Sequence, residues 1–131
     1  MLAILIDHNM EGQAIQLWDT ILNTGLIELT PIKFVMFADV GLPENSNDRQ
    51  VWRFVQHNGM IRLTDNRSDN EASSLDRTIR DENTATSLPV LTVGRLSRLK
   101  EKNYREKCAE RLLEIVSTLE NYLGTGRIFI P

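Results

Sequence analysis

Apolar residues in this chain come in short blocks, each followed at once by a polar break. Leu2-Ala3-Ile4-Leu5-Ile6 is a continuous apolar run cut off by Asp7-His8-Asn9, the pattern of a strand buried on both faces of a parallel sheet. From Glu11 to Asn23 the spacing becomes helical. Ala14, Trp18, Ile21 and Leu22 fall on one stripe, and Gly25 supplies a stop. Lys33-Phe34-Val35-Met36-Phe37-Ala38 predicts a second strand, opened by Pro31 and ended by Asp39. A loop of turn formers follows: Gly41, Pro43, Asn45, Ser46 and Asn47. Helix resumes near Asp48, with Val51, Trp52 and Val55 on one side, and Asn58-Gly59 ends it.

Met60-Ile61-Arg62-Leu63-Thr64 predicts a third strand, which runs into the polar loop Asp65-Asn66-Arg67-Ser68-Asp69-Asn70-Glu71. Residues 73–81 predict a short helix, with Ser73 and Asp76 at capping-box spacing. Leu88-Pro89-Val90-Leu91-Thr92-Val93 is the fourth strand, its proline near the start, where a missing donor is tolerated. Between about 101 and 123, Tyr104, Cys108, Leu112, Val116, Leu119 and Leu123 recur three or four apart, which predicts the longest helix. Gly124 and Gly126 stop it, and Arg127-Ile128-Phe129-Ile130 offers a final edge strand. The alternation of strand and helix leads to parallel pairing through crossovers. The expected architecture is a three-layer α/β/α domain around a mainly parallel four- to five-stranded sheet, with residues 1–131 as one domain.

Composition narrows the class. Hydrophobic residues make up 41% and charged ones 25% of the 131 residues, which fits a globular core and argues against a disordered chain. The apolar N-terminus lacks a basic region before it and stops after six residues, unlike a signal peptide. No apolar run approaches the ~20 residues that span a bilayer. The expectation is therefore a soluble, cytoplasmic protein without a membrane partner. A lone cysteine, Cys108, leaves no internal disulfide and no cysteine-rich zinc site.

Net charge is −3, but residues 95–111 hold seven basic side chains against three acidic ones, so this segment carries +4 and the remainder −7. It reads either as a phosphate-attracting patch or as a helix face laced with its own ion pairs.

In open parallel sheets, sites form beyond the carboxyl ends of the strands. Asp7-His8-Asn9, Asp39 and Thr64-Asp65-Asn66 stand at such ends, Asp48 opens the following helix, and Asp69 and Glu71 lie in the loop after the third strand. Carboxylates gathered at one rim repel one another unless a cation sits among them, and Mg²⁺ or Mn²⁺ prefers such oxygen ligands. Each acid also has a structural alternative. Asp7 can cap a turn, Asp48 suits a first helical turn, Asp65-Asn66 is turn chemistry, and Asp69 and Glu71 solvate a loop. Phosphate-cradling glycine motifs and a Gly-x-Ser-x-Gly elbow are absent. A receiver domain would need a lysine after a late strand, where Gly94-Arg95 stands.

Over roughly the first 70 residues the chain resembles the small prokaryotic PIN-like proteins. Leu5-Ile6-Asp7-His8-Asn9 is similar to their opening strand and acid, Asn47-Asp48-Arg49-Gln50-Val51 to their acidic helix start, and Ile61-Arg62-Leu63-Thr64-Asp65-Asn66-Arg67 to their strand and Thr-x-Asp segment. The resemblance implies metal-dependent hydrolysis of RNA phosphodiesters, in some members as the toxin of a toxin–antitoxin pair. Asp7, Asp48 and Asp65, with Asp69 as a fourth ligand, would hold Mg²⁺ or Mn²⁺, and Thr64 would position water or a ligand. The implied partners are RNA, an antitoxin protein and a second copy in a homodimer.

This chain also departs from the family pattern. Asn66 stands two positions after the threonine, where the family has an acid, and His8 stands where glutamate is common. The departures open a second reading: the same fold with a degraded site, acting as a non-catalytic partner-binding or oligomerising module.

Overall fold

The computed structural model describes residues 1–66 and 74–131. Five strands, β1 (Leu2–Ile6), β2 (Ile32–Val35), β3 (Ile61–Thr64), β4 (Val90–Val93) and β5 (Arg127–Ile130), form one sheet in the order β2-β1-β3-β4-β5. Every neighbouring pair is parallel. Four α-helices connect them: α1 (Glu11–Asn23), α2 (Asp48–His57), α3 (Leu75–Glu82) and α4 (Lys102–Ser117). The α/β/α expectation holds, and the C-terminal run is a true strand.

Side-chain alternation along each strand divides the interior. Ile4, Ile6, Ile61, Leu63, Leu91, Val93 and Ile130 meet Ala14, Leu17 and Ile21 of α1 and Cys108, Leu112 and Ile115 of α4. Leu5 meets Val51 and Val55 of α2, while Val90 meets Trp52 of α2 and Leu75 of α3. Thus α1 and α4 cover one face, and α2 and α3 the other. Because Leu5 is in register with Arg62, and Thr64 with Thr92, the strand positions facing α2 and α3 include buried polar residues. The α1–α4 face is apolar.

Boundaries moved for local reasons. The second strand ends at Val35, three residues early, because the Asp39 carboxylate accepts from the Met36 N–H at 2.8 Å and closes a turn. The buried stripe of α1 runs through Leu17, leaving Leu22 45% exposed. The last helix ends at Ser117, before the expected 123. There the Ser117 and Thr118 hydroxyls both donate to the Glu114 carbonyl, drawing it away from the helical ladder. Ser74, beside the expected Ser73, caps α3 by accepting from Arg77 N–H; Ser73 lies outside the described residues. Arg53 and Arg49 on α2 grip Glu82 of α3, and Arg49 also donates to Asp81 at 2.9 Å. Hydrogen bonding from Arg53, then Arg49, holds the Glu82 carboxyl below its ordinary range.

Among the described residues, no helix is long and apolar enough to cross a membrane. Strand β5 is brought in by Gly124, whose φ is +82° and whose N–H donates to Ser87 O at 2.9 Å. A Cβ there would lie 2.8 Å from the Ala85 carbonyl oxygen, which is backbone and has little room to yield. Gly124→Ala is therefore expected to lower stability by about 3 kcal/mol. Gly12→Ala, in the first turn of α1 with open space around it, should raise stability by about 0.5 kcal/mol. Thermal and urea unfolding of the two variants checks both signs.

Candidate functional site

Three chain segments converge at the carboxyl ends of β1 and β3. Asp7 follows β1, and its own N–H donates to Leu63 O at 2.9 Å, extending the β1–β3 pairing by one residue. Its carboxylate accepts from the His8 N–H at 3.2 Å, so Asp7 does cap the turn at His8–Met10. Asp48 is the first residue of α2, which Asn47 starts with a full capping box: its side chain accepts from Gln50 N–H, and Gln50 returns a bond to Asn47 N–H. Thr64 is the last residue of β3 and is fully buried.

The group that joins these segments is Arg62. It sits in β3 between the buried Ile61 and Leu63 and is 3% exposed. Its Nη2 donates to Asp7 Oδ1 at 3.1 Å and to Asp48 Oδ1 at 3.0 Å. The two acids are themselves largely shielded, 13% and 21% exposed. The other carboxylate oxygens are also engaged. The Thr64 hydroxyl donates to Asp7 Oδ2 at 2.5 Å, and Asn66 Nδ2 donates to Asp48 Oδ2 at 2.9 Å. Thr64 Oγ1 in turn accepts from Asn66 N–H at 3.0 Å. Arg127, from β5, donates to the Asn66 carbonyl and to the buried Thr92 hydroxyl, while it pairs with Asp76 of α3 at 2.6 Å. A continuous polar chain thus runs from α2 across three strands to α3.

The structure therefore brings Asp7, Asp48 and Thr64 into direct or shared contact. Asp65 lines the same cavity but turns outward, accepting from Asn9 Nδ2 at 3.0 Å. Asp39 serves its turn, away from this group. Asp69 and Glu71 lie outside the described residues. The cavity, about 460 Å³, is lined by Asp7, Glu44, Asp48 and Asp65 together with Arg62, a formal charge of −3 among the described residues with His8 neutral. His8 stands at its mouth, 3.4 Å from Glu44 and 3.5 Å from Glu11.

The implied Mg²⁺ or Mn²⁺ meets a specific obstacle. A divalent ion bridging Asp7 and Asp48 would need the position that the Arg62 guanidinium holds. Among the described residues, no three histidine, cysteine or acidic side chains gather as a group able to take an ion. The residues as arranged do not fit a bridging metal.

Arg62, Asn66 and Arg127 are the site residues that sequence reasoning left without a role. The available signal was one charged residue flanked by Ile61 and Leu63 inside the expected third strand. The basic segment at 95–111 is largely self-engaged. Arg98 pairs with Glu101 at 3.2 Å and Arg111 with Glu114 at 3.0 Å, Lys102 lies 3.9 Å from Glu106, and Arg105 donates to the Leu99 and Lys100 carbonyls. This is the ion-pair-laced face. Trp52 is buried and Trp18 packs on Phe34, so both tryptophans belong to the interior rather than to a stacking platform. No family model, no curated protein and no solved structure matches the chain.

Two outcomes follow. Thr64→Val keeps the shape but removes the hydroxyl that joins Asp7 to Asn66. It should cost about 2 kcal/mol in denaturant unfolding, the worth of a buried hydrogen bond to a charged group, and Thr64→Ser should lose less. Burial pushes the Cys108 thiol up to about 12 from its ordinary 9.0, with Arg98 opposing weakly. The native protein should therefore resist thiol-reactive disulfide reagents at pH 8. Because the folded value is raised, its stabilising contribution is complete below about 9 and is lost as pH climbs toward 12.

Proposed function

We propose that this chain is a PIN-like domain whose acidic site is closed by its own arginine and which works by binding a partner, not by cutting RNA. The observation that carries this reading is the Arg62 Nη2 atom within 3.1 Å of both Asp7 and Asp48. Metal-assisted phosphodiester hydrolysis needs carboxylates with free lone pairs and an ion with open positions for water and substrate. Here the Arg62 guanidinium bonds the Oδ1 oxygen of each acid and stands where a bridging ion would have to sit. The residual negative charge of the cavity disfavours a phosphate backbone and favours a lysine or arginine side chain from a protein partner. Asp65 and Glu44 are the acids of that cavity outside the Arg62 pair.

A second reading keeps the Mg²⁺- or Mn²⁺-dependent ribonuclease, with Asp7, Asp48 and Asp65 as ligands and Thr64 in support. It draws on one observation: these acids share a single cavity at the ends of β1 and β3.

Incubation with single-stranded RNA and Mn²⁺ separates the two. The partner-binding reading expects background cleavage from the wild-type protein and from Asp7→Asn alike. Cleavage by the wild type that Asp7→Asn abolishes would replace it with the nuclease.

A further inference from the structure

Arg62 occupies a position where an arginine is costly. It is 97% shielded, its strand neighbours Ile61 and Leu63 are fully buried, and Leu5 lies in register beside it. Of its three nitrogens, Nε and Nη1 are buried with no hydrogen-bond partner among the described residues. A side chain retained for hydrogen bonding would use its fork. This one uses a single nitrogen, aimed between two carboxylates that belong to different elements.

The need it answers is charge. Asp7 and Asp48 both reach one atom, so their Oδ1 oxygens stand at most about 6 Å apart. Shielded carboxylates that close raise each other's cost unless a cation lies between them. A divalent ion with oxygen ligands at about 2.1 Å would answer the same need once the two carboxylates turn to bring their oxygens within about 4 Å of each other. Thr64 and Asn66 already orient the outer oxygens for either cation.

We infer that Arg62 is the resident cation of this site, a tethered substitute for a divalent ion, and that neutralising it creates a Mn²⁺ site on Asp7 and Asp48. The inference rests on the partner-binding reading, in which the wild-type protein has no use for a metal. It adds that one side chain, Arg62, is enough to keep a metal off the two acids it joins.

The test uses Mn²⁺ alone on the full chain, read by melting temperature and by loss of the free-ion paramagnetic resonance signal. Wild type and Arg62→Lys, which keeps the charge, should change little in Mn²⁺ and bind none. Arg62→Gln should melt lower in chelator and rise by roughly 5 °C in Mn²⁺ as binding is linked to folding. It should take up one ion, and the double variant Arg62→Gln/Asp48→Asn should lose both effects. A folded Arg62→Gln indifferent to Mn²⁺ overturns the inference, as does Asp7-dependent Mn²⁺ uptake by the wild type. If Arg62→Gln folds only in Mn²⁺, the inference is supported. If Mn²⁺ does not rescue it, the inference fails whether or not the double variant folds. A folded double variant would show that the freed acids cannot hold an ion, and an unfolded one that Arg62 serves packing instead of charge. RNA cleavage is a separate readout, so a failure of this inference is distinguishable from a failure of the function reading on which it rests.

Discussion

The bond from one guanidinium nitrogen to two carboxylates is the constraint around which this end of the molecule is built. Arg62 cannot be buried in β3 without counter-charge, and Asp7 and Asp48 cannot approach each other without a cation. Each is tolerable only because of the others. Removing one member of such a buried pair typically costs about 3–5 kcal/mol, against a total stability of about 5–15 kcal/mol for a domain of ordinary size. The cluster is therefore a clasp as well as a candidate site. It ties the end of β1, the start of α2 and the middle of β3, which are far apart in sequence.

The two faces of the sheet do different work. The face toward α1 and α4 is closed by aliphatic side chains, and nothing on it requires a partner of particular charge. The face toward α2 and α3 carries Arg62, Thr64, Thr92 and Arg127, all held by hydrogen bonds that continue one another. Polar groups buried this way are worth little in net stability but are expensive to leave unpaired. Their arrangement fixes where Asn66 and Asp48 sit. Arg127, from the last strand, donates to the Asn66 carbonyl and so reaches Asp48 only through Asn66.

The architecture was legible because burial on two faces leaves apolar blocks that periodicity can find. Leu2–Ile6 was visible in that way, and Ile61–Thr64 and the C-terminal edge strand as short apolar-rich runs bounded by turn residues. What escaped were features decided by one side-chain contact: Asp39 closing a turn and shortening β2, or Ser117 and Thr118 ending α4. The site divided along the same line. Asp7, Asp48 and Thr64 were found because strand ends and helix starts are positions that a linear pattern reveals. Arg62 was passed over because its meaning lies in what stands across from it, and the acids it joins are 55 and 14 positions away. A charged residue inside an apolar strand is itself a sign that a counter-charge must lie nearby in the fold, and that sign could have been used.

Charge then separates the candidate functions more sharply than fold does. The segment at 95–111 reads as strongly basic in sequence, but much of its charge is spent on neighbours such as Glu101, Glu106 and Glu114. Exposed pairs of this kind produce a weak field, and salt screens it beyond about 8–10 Å. The described lining of the cavity, meanwhile, holds more acid than Arg62 can offset. A nuclease resolves that conflict by admitting metal, which both neutralises the acids and draws in phosphate. In this chain the cation between the inner pair is the Arg62 side chain itself, which neutralises them without offering positions for water. Among the described residues the rest of the cavity lining is negative, and that is the charge the proposed partner would have to complement.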